Sequence, residues 1–211
     1  MTNAAGTRRR ERLGIFGGSF NPVHLGHLLL AQTAQERFDL DRVLFMPCAV
    51  QPHKDPRVLA SAMHREAMVE AAILDNLGFD LLDIELRRGG VSYTVDSLRE
   101  IRSRHPHAEL YFMIGADTLL ELHGWKDIDT VLSLCSFIVF ARPGYDLQSL
   151  APDAIQLPPP WPDRLLRNVC RVRQIDISSS DIRHRVAEGL NIRYLVPQPV
   201  EMIIMEHHLY R

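Results

Sequence analysis

The sequence predicts an α/β fold: a Rossmann-like, doubly wound parallel sheet with a small C-terminal helical subdomain. Three observations carry this. Short, near-continuous apolar runs recur along the chain, among them Leu13–Phe16, Val43–Met46, Leu110–Ile114 and Phe137–Phe140, and strands covered on both faces read this way. Helical patterns separate those runs, the alternation that builds parallel sheets. No internal repeat or composition shift divides the 211 residues, a length that suits one domain of roughly 100–200 residues.

The elements follow in order. Leu13–Phe16 is the first strand, closed by Gly17-Gly18. His24–Phe38 is a helix with Leu25, Leu28, Leu29 and Ala31 near its start. Val43–Met46 is the second strand, stopped by Pro47. The stretch 48–58 holds Pro52, His53, Lys54, Asp55 and Pro56, a loop composition. Ala60–Leu77 is a helix and Phe79–Ile84 the third strand. Thr94–Arg104 is a helix introduced by Ser92-Tyr93 and ended before Pro106. Leu110–Ile114 and Phe137–Phe140 are the fourth and fifth strands, with a helical region between Ala116 and Leu134 broken near Gly124-Trp125. The stretch 143–162, with three successive prolines from Pro158, is loop. Val172–Ile177 is the sixth strand, and Ser180–Ala187 and Pro199–His207 are the last helices. Residues 1–11 are expected to form a flexible tail and residues 12–211 one domain, with the helical C-terminal part from residue 178.

Composition bounds the function. With 46% hydrophobic and 24% charged residues the chain is globular rather than disordered or fibrous. A net charge of −2 argues against nucleic-acid binding by counterion release. Cys48, Cys135 and Cys170 are scattered and form no C-x-x-C pair, which argues for reduced thiols rather than a disulfide framework or a cysteine zinc site. No apolar run approaches the roughly 20 residues of a membrane span. Arg8-Arg9-Arg10 precede no apolar signal segment. A cytoplasmic location away from membranes is the expectation; self-association is left open.

In an open parallel sheet ligands bind at the carboxyl ends of the strands, so the strand-to-helix junctions are the places for chemistry. Two stand out. The first runs Gly17-Gly18-Ser19-Phe20-Asn21-Pro22-Val23-His24-Leu25-Gly26-His27. Paired glycines after a strand let backbone N–H groups face a ligand, and the helix that follows offers unpaired N–H groups and a positive dipole end. His24 and His27 are three apart, on one helix face, and Gly26 between them permits close approach. These residues suit phosphate. The same features also read as an ordinary tight turn followed by structural histidines, and it is their concentration in eleven residues that favours a site. The second junction is Ile177-Ser178-Ser179-Ser180-Asp181-Ile182-Arg183. Ser179 or Ser180 can cap the helix, and Arg183 in its first turn can meet a polyphosphate through its planar fork of donors. An ordinary cap with a solvated arginine is the competing reading.

The first junction resembles the G-G-[TS]-F-[DN]-P-x-H-x-G-H signature of the nucleotidylyltransferases with an H-x-G-H motif, and the second resembles their I-S-S-T-x-I-R signature. Pro52-His53-Lys54, Ser92-Tyr93-Thr94-Val95-Asp96, Ile114-Gly115-Ala116-Asp117, Trp125 and Arg142-Pro143-Gly144 are similar to the bacterial nicotinate-mononucleotide adenylyltransferases within that superfamily, as are Arg193-Tyr194-Leu195-Val196-Pro197 and His208-Leu209-Tyr210. The resemblance implies adenylyl transfer from ATP to nicotinate mononucleotide, giving nicotinate adenine dinucleotide and pyrophosphate on the route to NAD. Nicotinamide mononucleotide, phosphopantetheine, or a nucleotide sensor without turnover are the alternatives.

The resemblance also implies roles. His24, His27 and Arg183 would be catalytic, the histidines on the ATP phosphates. Gly17, Gly18, Ser19, Phe20 and Gly26 would form the ATP cradle, with Ser179 and Ser180 on the β- and γ-phosphates. Gly115, Asp117 and Arg142 would complete the ATP site, Asp117 against a ribose hydroxyl. Asn21, Lys54, Thr94, Trp125 and Lys126 would contact the second substrate, Trp125 by stacking on the nicotinate ring and the backbone at Thr94 and Lys126 by reading its carboxylate. Asn21 stands where Asp is common and Ser180 where Thr is common. Mg²⁺ is expected to arrive with ATP, and no protein metal cluster is expected.

Overall fold

The computed structural model describes residues 9–50, 59–141, 151–170, 172 and 175–211. Six parallel strands form one sheet in the order β3-β2-β1-β4-β5-β6: β1 Arg12–Gly18, β2 Arg42–Pro47, β3 Phe79–Leu81, β4 Glu109–Gly115, β5 Ser136–Phe140 and β6 Val169–Cys170. The helices are α1 Leu25–Arg37, α2 Ala62–Ile73, α3 Ile84–Arg88, α4 Thr94–Arg104, α5 Ala116–Glu121, α6 Ile128–Leu134, α7 Trp161–Arg167, α8 Ser179–Ala187 and α9 Gln198–Glu206. Strand order turns back between β1 and β4, so their carboxyl ends flank a crevice.

The apolar runs are continuous because both faces of the sheet are covered. Side chains alternate across a strand. Leu13 and Ile15 of β1, Leu44 and Met46 of β2, and Phe112 and Ile114 of β4 pack into one layer with Val95, Leu98 and Ile101 of α4. Phe16, Val43, Phe45 and Met113 point the other way, against Ala31 and Ala34 of α1 and Met68, Val69 and Ile73 of α2. Ile182 and Val186 of α8 and Val200 and Ile204 of α9 join this second layer. The C-terminal helices are therefore built onto the main sheet.

Several boundaries differ from expectation, each for a local reason. The helix expected over 60–77 starts after Ser61, whose Oγ accepts the His64 N–H. It stops at Ile73, and the turn that follows is closed by Asn76 Oδ1 accepting the Gly78 N–H at 2.9 Å. The third strand ends at Leu81 because Asp83 caps a short helix that turns Ile84 into the core. The region expected as loop up to residue 162 ends in helix α7, with Pro162 in its first turn, where the fixed proline φ is favourable. The sixth described strand is Val169–Cys170, paired with Val139 and Phe140; the strand expected over 172–177 falls partly outside the described residues, and the described ones there are not strand. Arg9 and Glu11, expected in a loose tail, are tied down: Arg9 pairs with Asp39 and Asp41, and Glu11 with Arg42.

Candidate functional site

A cavity of about 810 Å³ opens where the carboxyl ends of the central strands meet. Gly17 and Gly18 of β1, Met46 of β2, Gly115 of β4 and Phe140 of β5 border it. Helix starts surround it as well: His27 in α1, Thr94 in α4 and Asp117 in α5. A smaller cavity of about 400 Å³ lies at the amino ends of β4 and β5, the end of a parallel sheet where ligands do not usually bind.

The first junction is tightly built. The chain turns through Phe20, which has φ 44° and is buried. A Cβ on Gly18 would come 3.2 Å from the Phe20 ring, and one on Gly26 would come 3.0 Å from His24 Nδ1. What needs room at Gly26 is thus the His24 imidazole of the chain itself. His24 is the N-cap of α1, in extended conformation and buried. Its ring stacks on His27 with centroids 3.7 Å apart. The His24 backbone N–H donates to His27 Nδ1 at 3.3 Å. That bond fixes the neutral tautomer of His27: Nδ1 accepts, so Nε2 carries the hydrogen. Phe16 and Phe20 meet the same ring at tilted angles, with centroids 5.8 and 5.1 Å away. His27 is a caged donor on the cavity wall, and His24 is the platform behind it. No acidic residue occupies the first turn of α1, so the positive end of that 13-residue helix is left for an anion.

The second junction comes to the first. Ser178, not Ser179 or Ser180, caps α8, its Oγ accepting the Asp181 N–H at 3.1 Å. This leaves the next two serines for other contacts. Ser179 Oγ donates to the Pro22 carbonyl at 2.8 Å. Arg183 Nη1 donates to the Asn21 carbonyl at 2.8 Å, and its Nη2 to Ser180 Oγ at 3.2 Å. A guanidinium has five N–H donors, so among the described residues Arg183 keeps donors beyond these two bonds. Imidazole, guanidinium, hydroxyl and backbone N–H groups make this a donor set matched to phosphate oxygens rather than to a bare cation.

The far wall carries Trp125, half-buried and edge-on to Phe112 and Phe137 with centroids 5.9 and 6.3 Å away. Packing on one side holds the indole while it borders the cavity on the other. Thr94 opens α4 beside it. Lys126 also borders the cavity. Its Nζ lies 3.1 Å from Asp96 and 4.3 Å from the Tyr93 ring centre, so its charge is already partnered.

Of the residues expected at the site, Gly17, Gly18, Phe20, His27, Thr94, Gly115, Asp117, Trp125 and Lys126 line the cavity. Ser19, Asn21, His24 and Gly26 lie in the turn behind its wall, and Ser179, Ser180 and Arg183 meet that turn from outside. Asn21 is oriented inward: it is buried, and its Oδ1 accepts from the Ala60 N–H and the Tyr210 hydroxyl, each at 2.9 Å. The Oδ1 of the side chain expected on substrate thus also ties the fold together. Lys54 and Arg142 fall outside the described residues.

Two residues went unremarked in the sequence. Arg65 is buried in α2, and its guanidinium donates to the carbonyls of Ser19, Cys48, Ala49 and Ala60. It pins the underside of the first junction to the strand end at β2. The signal was present: Arg65 lies on the same helical stripe as buried Met68, Val69 and Ile73, an unusual place for a charge. Glu85 is buried on the cavity wall, accepts the Ser97 hydroxyl at 2.6 Å, and has its carboxyl pushed up by burial against that bond, a second from Ser92 and the nearby Arg88. Of the thiols, Cys135 is pushed up to about 12 by burial, far from the thiolate a reactive cysteine needs.

Comparison with known proteins agrees with this geometry. The model of the family described as "Cytidylyltransferase-like" matches residues 15–185. A protein named "Probable nicotinate-nucleotide adenylyltransferase" from Desulfitobacterium hafniense is 42% identical over 95% of this chain and 96% of its own length. One of the same name from a Geobacter species is 43% identical over 94% and 98%. Among solved structures, Plasmodium falciparum nicotinic acid mononucleotide adenylyltransferase complexed with APC superposes with a TM-score of 0.73, covering 95% of this chain and 98% of that one at 18% identity. The same enzyme complexed with NaAD gives 0.73 at 19% identity. These two structures share the fold. With the family match over most of the chain and full-length relatives above 40% identity, this chain belongs to the cytidylyltransferase-like family of nucleotidyltransferases.

Proposed function

We propose that the chain is a nicotinate-nucleotide adenylyltransferase, joining ATP and nicotinate mononucleotide into nicotinate adenine dinucleotide and releasing pyrophosphate. The names of its full-length relatives support the reaction. The observation that carries the reading here is the meeting of the two junctions through Arg183 on Asn21 and Ser179 on Pro22, beside a cavity of about 810 Å³.

The chemistry needs no protein nucleophile. The mononucleotide's 5′-phosphate oxygen is already anionic near neutral pH. It attacks the α-phosphorus of ATP, forming the new P–O bond while the bond to pyrophosphate breaks. The demand on the protein is to hold two anions together and to stabilise charge on the α-phosphoryl and the leaving group. His27 donates its Nε2 hydrogen to those oxygens. His24 packs behind it and fixes its tautomer through the backbone. The start of α1 and the backbone at Gly17–Ser19 receive the reacting phosphates, while the start of α8, Ser179, Ser180 and Arg183 hold the β- and γ-phosphates. Asp117 takes a ribose hydroxyl. Trp125 stacks on the pyridine ring, and the N–H groups at the start of α4 receive its carboxylate.

Mg²⁺ bound with ATP would screen the charge of the phosphates, while His27, Ser180 and Arg183 would supply the protein's donors to them. Among the described residues no three His, Cys, Asp or Glu side chains cluster around a common point. No described helix is long and apolar enough to cross a membrane; we place the reaction in the cytoplasm, where both substrates would be supplied.

Pyrophosphate release, measured with ATP and each of nicotinate mononucleotide, nicotinamide mononucleotide and phosphopantetheine, tests the reading. The acid mononucleotide is expected to have the highest kcat/KM. A tenfold preference for the amide, about 1.4 kcal/mol in the transition state, would overturn the substrate assignment. ATP binding without pyrophosphate release would overturn catalysis.

A further inference from the structure

Asn21 joins three parts of the chain. Its carbonyl accepts from Arg183 of α8 at 2.8 Å, and its side-chain Oδ1 accepts both the Ala60 N–H, ahead of α2, and the Tyr210 hydroxyl, beyond α9. The next residue, Pro22, accepts Ser179 through its own carbonyl. The orientation of the Asn21–Pro22 pair therefore sets where the start of α8 stands relative to His24 and His27. The Ala60 N–H and the Tyr210 hydroxyl are among the groups that steer the Asn21 side chain, and the phenol lies 189 positions away in sequence.

The contact is enforced rather than incidental. His208 and Tyr210 both adopt left-handed backbone, with φ 51° and 65°, a conformation that non-glycine residues keep only where their surroundings demand it. The Tyr210 ring packs on the second core layer, which aims its hydroxyl at Asn21. Burial pushes the phenol well above its ordinary value, so it stays a donor, although Arg183 and Arg65 pull the other way. Those two guanidiniums close to Tyr210 are the ones that tie α8 and the β2 end to the first junction.

We propose that Tyr210 is a positioning residue for the phosphate cradle, acting through Asn21 to hold the α8 serine–arginine turn against the α1 histidines. The proposal rests on the adenylyl-transfer reading above. It assigns Tyr210 to the triphosphate half of the cavity and not to the Trp125 half.

The test is Tyr210→Phe, which removes one oxygen and keeps the packing ring. ATP affinity is measured directly by titration calorimetry with Mg²⁺ and ATP, alongside KM for each substrate and the thermal midpoint. The expected result is about three- to tenfold weaker ATP binding, as for loss of one buried neutral hydrogen bond, with KM for the mononucleotide within about twofold of wild type. ATP affinity unchanged in Tyr210→Phe would overturn the proposal. So would equal weakening of both substrates in step with a lower thermal midpoint, the pattern of a merely structural residue. Tyr210→Phe is also placed in an Asn21→Ala background, where it should add nothing further; a full additive loss would overturn the route through Asn21. Wild-type protein that binds ATP but releases no pyrophosphate would count against the reaction alone, since the calorimetric comparison still decides the role of Tyr210.

Discussion

Arg183 Nη1 donates to the main-chain carbonyl of Asn21 at 2.8 Å, and the two residues stand 162 positions apart. The bond joins the turn after β1 to the first turns of α8, with Nη2 on Ser180 Oγ at 3.2 Å completing a fork. Lysine carries the same charge but has no planar fork. Arg183→Lys is expected to weaken ATP binding about tenfold, the weight of one good charge-assisted bond. Titration calorimetry checks it, and unaltered affinity would show that charge alone suffices.

His27 is held by the His24 N–H at 3.3 Å and by two phenylalanine edges. A donor fixed before the reaction begins stabilises developing charge without reorganisation. His27→Ala should lower kcat by roughly 10²–10³ with a much smaller change in KM for ATP. Wild-type turnover in that variant would remove His27 from the mechanism.

Trp125 packs edge-on against Phe112 at 5.9 Å and borders the cavity. Trp125→Ala should raise KM for the mononucleotide about tenfold, as loss of a stacking platform worth ~1.5 kcal/mol implies, while KM for ATP stays nearly constant. Equal changes in both would argue against ring stacking.

Glu85 gives the fold a pH dependence. Burial raises its folded-state pKa above the ordinary 4.5 despite the opposing Ser97 and Ser92 bonds and Arg88. The folded chain thus binds this proton more tightly than the unfolded chain. The matching stability is fully present below the unfolded value and is lost as pH rises through the folded one. Glu85→Gln is neutral at every pH. Its urea midpoint relative to wild type should rise as pH climbs past the ordinary carboxylate value. A difference that does not vary with pH would contradict a raised pKa.

Much of this molecule is written locally. Strand cores such as Ile15, Phe45 and Ile138, the limits of α4 at Thr94 and Arg104, and the Gly17-Gly18 turn depend on period, capping and turn chemistry within a few residues of each position. Where local signals compete, the sequence misleads. Val172–Ile177 has strand character, yet among the described residues the last strand is Val169–Cys170, where α7 delivers the chain to the β5 edge.

The residue types at the two junctions, a donor set suited to phosphate, were determined by the sequence itself. The tertiary structure alone decided which atoms meet. Ala60 and Tyr210 converge on the Oδ1 of Asn21. Arg65 is central because four carbonyls from three segments gather around one guanidinium. Such contacts follow from β1 lying beside β4 and from α8 and α9 folding back over the same face. They depend on the packing of residues far apart along the chain, and no local pattern encodes that packing.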